Sequence, residues 1–222
     1  MKNSSLNKCK RYSMFYLYTK IKESEIPAFL LHPFIETPVM VHNGVVADIV
    51  SNKEVRDNLL SKYSSKIDKA TKIEDLFQLV RPQYRIQYFA SVNEYLNDKD
   101  YAEMLSYSWK SSVLPISDAN VKNYRILNFF KKANKKYLMT EKEIEQYEKL
   151  PNRITIYRGS ENINYEDAFS WTLSKERAHW FATCYNKNGK IIEKEVDKKS
   201  IIAYFEYEGE NEVIIDYKTL AN

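Results

Sequence analysis

The chain has 222 residues and a mass of 26.3 kDa, which suits one large domain or one domain with a helical extension. Hydrophobic residues make up 44% and charged residues 29%, so the composition excludes a globally disordered or low-complexity protein. No segment approaches the roughly 18 apolar residues of a membrane helix, and residues 14–18 are too short for the apolar core of a signal peptide. Cys9 and Cys184 match neither a disulfide framework nor a metal-ligand spacing. We therefore expect a cytoplasmic protein that contacts no membrane and holds no metal.

The net charge of +4 is divided unevenly along the chain. Residues 1–140 hold 22 Lys and Arg against 14 Asp and Glu, a net of +8, and residues 141–222 hold 12 against 16, a net of −4. A basic front half beside an acidic back half favours a partner that is acidic or associated with nucleic acid. The alternative is a solvated basic face, since +8 over 140 residues is low for a dedicated nucleic-acid binder.

The first two thirds of the chain are predicted to be mostly helical. Residues 45–50 resemble a strand and residues 53–64 a short helix. Capping boxes then open further helices at Thr71 with Glu74 and at Thr140 with Glu143, and Ser91 with Glu94 is a third candidate start. Helical spacing of apolar residues predicts these buried positions: Ile73, Leu76, Phe77, Val80, Tyr101, Met104, Leu105, Trp109, Ile126, Phe129, Phe130 and Ala133.

The pattern changes to strands at Pro151. Alternating β-branched residues predict strands over 154–157, 168–172, 190–196, 200–207 and 212–216. Ser174 is predicted to cap a helix between the second and third of these strands, with Ala178, Phe181 and Ala182 on one face. The fold class is therefore α+β. We predict an amino-terminal region of residues 1–95 and a domain of residues 96–222, with helices in 100–150 and a compact β core in 151–222.

Three polar motifs lie at the edges of the predicted strands: Arg158, the run Ser170-Trp171-Thr172, and the pair Glu210-Asn211-Glu212. Taken singly, they are typical of an ion pair, a strand face and a solvated strand. In this order, with a helix after the second motif, they resemble the Arg-Ser-Glu class of ADP-ribosyltransferases, and in particular its compact phage and bacterial members. Thr172 departs from the family, which commonly has Ser there, and the segment between the Arg and Ser strands is short.

The resemblance implies a compact β-sandwich-like core and a reaction that uses NAD as co-substrate. It implies that Glu212 is the catalytic carboxylate and that Glu210 positions and helps to deprotonate an acceptor arginine. Arg158 would bind the diphosphate of NAD, because its guanidinium is a permanent cation with a planar donor fork. Two carboxylates two residues apart on one strand face would also titrate together.

Further NAD-binding roles are implied for residues near this carboxylate. The backbone of Gly159 would approach the nicotinamide, and Ser170 would orient Glu212. Thr172 would either bind ribose or support the strand. Phe181 would either stack on nicotinamide or pack in the core at helical spacing.

The function implied by the resemblance is mono-ADP-ribosylation of a protein on arginine, without a metal. A phage effector that modifies host machinery in the host cytoplasm is the setting this implies. The alternatives within the same fold are an NAD glycohydrolase and a transferase that modifies nucleic acid. The alternative from another class is a non-enzymatic inhibitor that binds a host complex, because a fold alone does not establish an activity.

Overall fold

The computed structural model describes residues 2–23, 29–42, 44–112, 120–160, 168–184, 189–207 and 209–219. The chain is α+β, as predicted, and divides into two compact units. The first unit holds Met1–Asp100 and Ser111–Asn120, and the second holds Tyr101–Lys110 and Val121–Asn222. The sequence-based boundary lies between residues 95 and 96, a few residues before the division in the structure.

The first unit combines helices with two small antiparallel strand pairs. Its helices are α1 (Lys2–Leu17), α2 (Lys53–Lys69), α3 (Ile73–Leu79) and α4 (Arg85–Val92), with short 3-10 turns at Pro82–Tyr84 and Asn93–Tyr95. Strand β1 (Lys22–Glu23) pairs with β2 (Leu30–Leu31), and β3 (Val39–His42) pairs with β4 (Val45–Asp48). The predicted strand at 45–50 and helix at 53–64 are confirmed by β4 and α2. The remaining strands and the helices α1 and α4 were not predicted.

Helix α1 has an inward face that is only weakly apolar. Its fully buried residues Cys9, Ser13 and Leu17 are spaced four apart, but Ser13 is polar. The Ser13 hydroxyl lies 2.7 Å from the hydroxyl of the buried Tyr88, which satisfies both groups. A helix whose inward face includes a hydrogen-bonded serine gives little hydrophobic periodicity, and this explains why the sequence pattern missed it.

A buried histidine fixes the chain after β2. His32 is fully buried, and its Nδ1 accepts hydrogen bonds from the backbone N–H groups of Phe34 (3.2 Å) and Ile35 (3.1 Å). Its Nε2 lies 3.1 Å from the carbonyl oxygen of Leu17, so the neutral ring with its proton on Nε2 satisfies all three partners. Burial lowers the pKa of His32, and the neighbouring charge of Arg81 lowers it further.

Two predicted helix starts differ from the structure. At α3 the carboxylate of Asp75, and not that of Glu74, accepts hydrogen bonds from the backbone N–H groups of Thr71 (2.8 Å) and Lys72 (3.1 Å). Ser91 lies inside α4 instead of preceding a helix. A carboxylate and a hydroxyl satisfy the same backbone donors from several neighbouring positions, so the composition of a helix start does not fix its first residue.

The second unit has helices on one antiparallel sheet. Its helices are α5 (Asp98–Lys110, from Tyr101 onward), α6 (Asn123–Lys132), α7 (Lys135–Leu138), α8 (Glu141–Lys149) and α9 (Lys175–Thr183). The capping box of Thr140 with Glu143 at α8 is confirmed, and the Ser174 hydroxyl accepts from the Arg177 N–H at the start of α9, also as predicted. The twelve positions predicted to be buried by helical spacing before Pro151 are all buried, four of them in the first unit and eight in the second: Ile73, Leu76, Phe77, Val80, Tyr101, Met104, Leu105, Trp109, Ile126, Phe129, Phe130 and Ala133.

All five predicted strands of the second unit are present. They are β5 (Arg153–Ser160), β6 (Ser170–Thr172), β7 (Lys190–Asp197), β8 (Ile201–Phe205) and β9 (Glu212–Ile215). Their order in the sheet is β7-β5-β6-β9-β8, and every neighbouring pair is antiparallel.

The described part of the second unit forms this one sheet, whereas the resemblance implied a sandwich of sheets. Helix α9 packs on β5, and α8 packs on β8. Aromatic rings join the helices to the sheet: Trp109 of α5 contacts Phe169 beside β6, and Phe130 of α6 contacts Phe205 of β8. Helical aromatic residues therefore cover apolar surface that a second sheet would cover in a sandwich.

None of the helices in the described ranges is both long and apolar enough to span a membrane.

Candidate active site

Three adjacent strands bring Arg158, Ser170 and Glu212 to one part of the sheet. Strand β6 lies between β5 and β9, with Thr172 opposite Tyr157 on one side and opposite Glu212 on the other. Arg158 directly follows Tyr157, and Ser170 is two residues before Thr172. The order of the strands in the sheet, and not their order in the sequence, makes these residues neighbours.

Glu212 is the central carboxylate of this arrangement. Its Oε1 accepts a hydrogen bond from the Ser170 hydroxyl at 2.5 Å, and its Oε2 accepts one from the indole Nε1 of Trp109 at 2.9 Å. Glu212 lies deep among protein atoms, yet part of its surface remains in contact with solvent. A carboxylate that is both deeply set and reachable can act on a ligand.

Burial raises the pKa of Glu212 to about 7. The hydrogen bonds from Ser170 and Trp109 lower this pKa, the negative charge of Glu210 raises it, and the positive charge of Arg158 lowers it. Burial has the largest effect because removing an ionised carboxylate from water costs more than two neutral donors return. The group therefore changes its charge near neutral pH.

Ser170 connects the cation to the carboxylate. The Nη1 of Arg158 donates to the backbone carbonyl of Ser170 at 2.6 Å, while the hydroxyl of the same serine donates to Glu212. The backbone and side chain of one residue thus position two oppositely charged groups.

The hydroxyl of Thr172 has two partners inside the protein. It donates to the backbone carbonyl of Glu210 and accepts from the backbone N–H of Ser174 at 3.0 Å. Thr172 is buried, and these bonds link the turn before β9 to the start of α9. Of the two roles implied for Thr172, the contacts describe support of the strand and its flanking turns.

Gly159 allows α9 to pack directly on β5. A Cβ atom at this position would lie 2.0 Å from the backbone oxygen of Ala178 and 2.5 Å from the backbone nitrogen of Ala182. Gly189, directly before β7, lies against α9 in the same way: a Cβ atom there would lie 1.7 Å from the backbone oxygen of Ala182. The glycine therefore has a packing reason, independent of the approach to nicotinamide that the resemblance implied.

Phe181 lies on the outer side of α9, and the alternative that it packs in the core is wrong. The side of α9 that faces the sheet consists of Ala178 and Ala182, which are buried, whereas Phe181 is 40% exposed and Trp180 is 48% exposed. The small residues face the sheet because the glycines bring the helix backbone too close for a ring. The large residues of the helix must then point away.

Glu210 lies in the turn before β9 and outside the strand. Asn211 separates it from Glu212 and has a left-handed φ of 45°, so the expectation that both glutamates share one strand face does not hold. The Oε1 of Glu210 accepts from the Nη2 of Arg177 at 2.5 Å, which forms an ion pair between the turn and α9. The two carboxylates still interact electrostatically, because the charge of Glu210 raises the pKa of Glu212.

The sequence interpretation missed two residues of this site, Trp109 and Arg177. Trp109 was predicted only as a buried position, and its hydrogen bond to Glu212 crosses 103 residues of sequence. A buried tryptophan usually finds an acceptor for its indole N–H, so the need for a partner was foreseeable, but not which partner. Arg177 lies one helical turn before Trp180 and Phe181, a spacing visible in the sequence, while its contact with Glu210 depends on the turn before β9.

Comparison of the chain with family models, curated proteins and solved structures finds no match. Across the described ranges, no group of three or more His, Cys, Asp or Glu side chains is arranged to hold a metal ion.

Proposed function

We propose that the chain is an NAD-dependent mono-ADP-ribosyltransferase that modifies a protein on arginine. The observation that carries the proposal is the contact of Ser170 with both Arg158 and Glu212. These three residue types, on three adjacent strands, are those that define the transferase class the sequence resembles. Their contact around one serine supports the proposal, because the class requires all three residue types in one site.

The chemistry of NAD cleavage suits this set of residues. When the bond between nicotinamide and ribose breaks, nicotinamide leaves as a neutral molecule with the bonding electron pair, and positive charge develops on the ribose. An ionised carboxylate beside the ribose stabilises a charge that exists only as the bond breaks, which is where electrostatic catalysis is most effective. Glu212 supplies this carboxylate. Arg158 supplies a guanidinium for the diphosphate.

Arginine is the acceptor that Glu210 favours. A guanidinium with a pKa above about 12 is a poor nucleophile, so transfer to it needs a nearby carboxylate to position it and accept its proton. Glu210 lies two residues from Glu212 and interacts with it electrostatically. A target that is acidic or associated with nucleic acid would complement the net of +8 over residues 1–140.

An NAD glycohydrolase is the second candidate, and one contact favours it. The carboxylate of Glu210 is already paired with Arg177. If that pair persists during the reaction, water is the acceptor that remains.

The test is incubation of the purified protein and a host lysate with NAD labelled in its adenylate part. Glu212→Gln is the inactive variant, and Glu195→Gln, an exposed strand residue of β7, is the matched control. We expect label on a discrete protein band that Glu212→Gln abolishes and Glu195→Gln retains. Nicotinamide release without labelled protein would identify the glycohydrolase instead. Absence of NAD turnover by the folded protein would reject both and favour a non-enzymatic inhibitor.

A further inference from the structure

The carboxylate of Glu210 already holds a guanidinium from the same chain. The Nη2 of Arg177 lies 2.5 Å from its Oε1, and the two side chains are 24% and 27% exposed. The pair is therefore partly shielded from water, which makes it stronger than a pair on an open surface. The proposed function assigns to this same carboxylate the guanidinium of an acceptor arginine.

The surroundings of Arg177 would suit any guanidinium. The centre of its guanidinium lies 4.6 Å from the ring centroid of Trp180 and 5.0 Å from that of Phe181. Both rings are substantially exposed. A carboxylate beside aromatic faces attracts a planar cation through charge and through the negative potential of the rings. None of these features requires that the cation belong to Arg177.

The pair uses only part of the hydrogen-bonding capacity of Arg177. Its Nε is buried and has no hydrogen-bond partner among the described residues. An arginine and a carboxylate often pair through two parallel N–H bonds, which this pair does not form. The backbone around the pair is, by contrast, well fixed: the Glu210 N–H donates to the Tyr207 carbonyl at 2.9 Å, and the Arg177 N–H donates to the Ser174 hydroxyl at 3.1 Å. Exchange of one guanidinium for another would thus leave the backbone hydrogen bonds intact.

We propose, on the basis of the proposed function, that Arg177 determines acceptor specificity. Its guanidinium pairs with the Glu210 carboxylate, which an acceptor arginine needs, so the target must displace Arg177 from it. In the transfer step the nicotinamide–ribose bond breaks and nicotinamide leaves with the electron pair. A nitrogen of the acceptor guanidinium forms the new bond to the ribose carbon, and its proton passes to Glu210. While Arg177 stays paired, water forms that bond instead and loses its proton to solvent. Arg177 is a positioning residue in this scheme, because it acts through Glu210.

The first test measures binding of agmatine, a small guanidine, to the full chain by calorimetry and needs no turnover. Arg177→Gln is expected to bind agmatine about three- to tenfold more tightly than wild type, the range expected when one partly shielded ion pair no longer competes. Arg177→Lys keeps a competing cation and should bind like wild type. Arg177→Gln combined with Glu210→Gln should lose the gain. Equal binding by wild type and Arg177→Gln, or a gain that survives Glu210→Gln, would overturn the proposal.

Folding of each variant is checked by circular dichroism. Arg177→Met keeps the apolar stem against the rings and replaces Arg177→Gln if the latter does not fold. A parallel measurement of NAD turnover separates the two hypotheses. Nicotinamide release by wild type tests the proposed function, and its absence rejects that function while the binding series still decides the role of Arg177. With turnover present, Arg177→Gln should raise the ratio of ribosylated agmatine to free ADP-ribose, which a purely structural arginine would leave unchanged.

Discussion

Replacing Glu212 by glutamine is expected to stabilise the second unit at alkaline pH and, under the proposed function, to abolish NAD turnover. The pKa of Glu212 is raised from 4.5 to about 7, so the folded state holds its proton more tightly than the unfolded state. The contribution of Glu212 to stability is then greatest below the unfolded pKa, falls as the pH rises from about 4.5 to about 7, and is constant above. At 1.36 kcal/mol for each unit, the ionised carboxylate costs about 3 kcal/mol at pH 8.

Glutamine can keep both hydrogen bonds of the glutamate. Its carbonyl oxygen can accept from Trp109, and its amide can donate to the Ser170 hydroxyl, which rotates to become the acceptor. Glu212→Gln should therefore gain up to about 3 kcal/mol in free energy of unfolding at pH 8 and close to nothing at pH 4.5.

Urea unfolding followed by tryptophan fluorescence is the suitable assay. All three tryptophans, Trp109, Trp171 and Trp180, belong to the second unit, so the signal reports on that unit alone. The free energies of unfolding of wild type and Glu212→Gln are compared at pH 4.5 and at pH 8. A variant no more stable than wild type at pH 8, or equally stabilised at both pH values, would refute the reasoning.

Glu143 provides a matched control with the opposite sign. This buried carboxylate accepts from Lys110 Nζ at 2.7 Å and 2.9 Å, from the Thr140 N–H at 2.8 Å and from the Glu206 N–H at 3.0 Å. Although burial alone would raise its pKa, these donors together lower it. Glu143→Gln should therefore destabilise the second unit at pH 8, by about 3 kcal/mol or more, because Lys110 loses its anionic partner.

Three other outcomes are expected. Gly159→Ala should destabilise the second unit by about 3 kcal/mol, because its Cβ would lie 2.0 Å from the backbone oxygen of Ala178; near-normal urea unfolding would show that α9 moves away at little cost. Trp109→Phe removes a donor that lowers the pKa of Glu212, so under the proposed function the acid limb of kcat/KM for NAD should move upward from about 7 by about half a unit; an unchanged limb would contradict this. Because burial lowers the pKa of His32, the first unit should lose stability as the pH falls below about 6.5, and His32→Asn, which retains an acceptor, should remove that dependence in thermal melts followed by circular dichroism.

The five strands of the second unit and most helices could be predicted from sequence because their apolar residues repeat with a clear period. The alternation of apolar residues over 154–157 corresponds to strand β5. The helical spacing of apolar residues before it corresponds to the buried faces of the helices. Helix α1 could not be predicted in this way, since its inward face includes the hydrogen-bonded Ser13. A local sequence pattern predicts an element when all of its inward-facing residues are apolar. It does not predict an element when a hydrogen-bonded polar residue takes one of those positions.

The candidate site was predictable in its residue types and not in its contacts. The order of the motifs identified Ser170 and Glu212 from the sequence, and in the structure the Ser170 hydroxyl donates to Glu212 Oε1 at 2.5 Å. The contacts of Trp109 with Glu212 and of Arg177 with Glu210 depend on the packing of helices on the sheet and on the left-handed Asn211. No local sequence pattern encodes distances between elements that lie far apart in the chain.

The position of β9 in the sheet bears on how the second unit folds. Strand β9 lies between β6 and β8, although both neighbours precede it in the sequence. Until β9 inserts, β8 has no partner in the sheet, and the three strands β7, β5 and β6 end in an open edge. Pairing over long sequence separations is slow, because loop closure must be completed before any contact forms. Glu212, at the start of β9, would meet Ser170 and Trp109 in the same step that closes the sheet, so a folding intermediate without β9 would lack the candidate site as a whole.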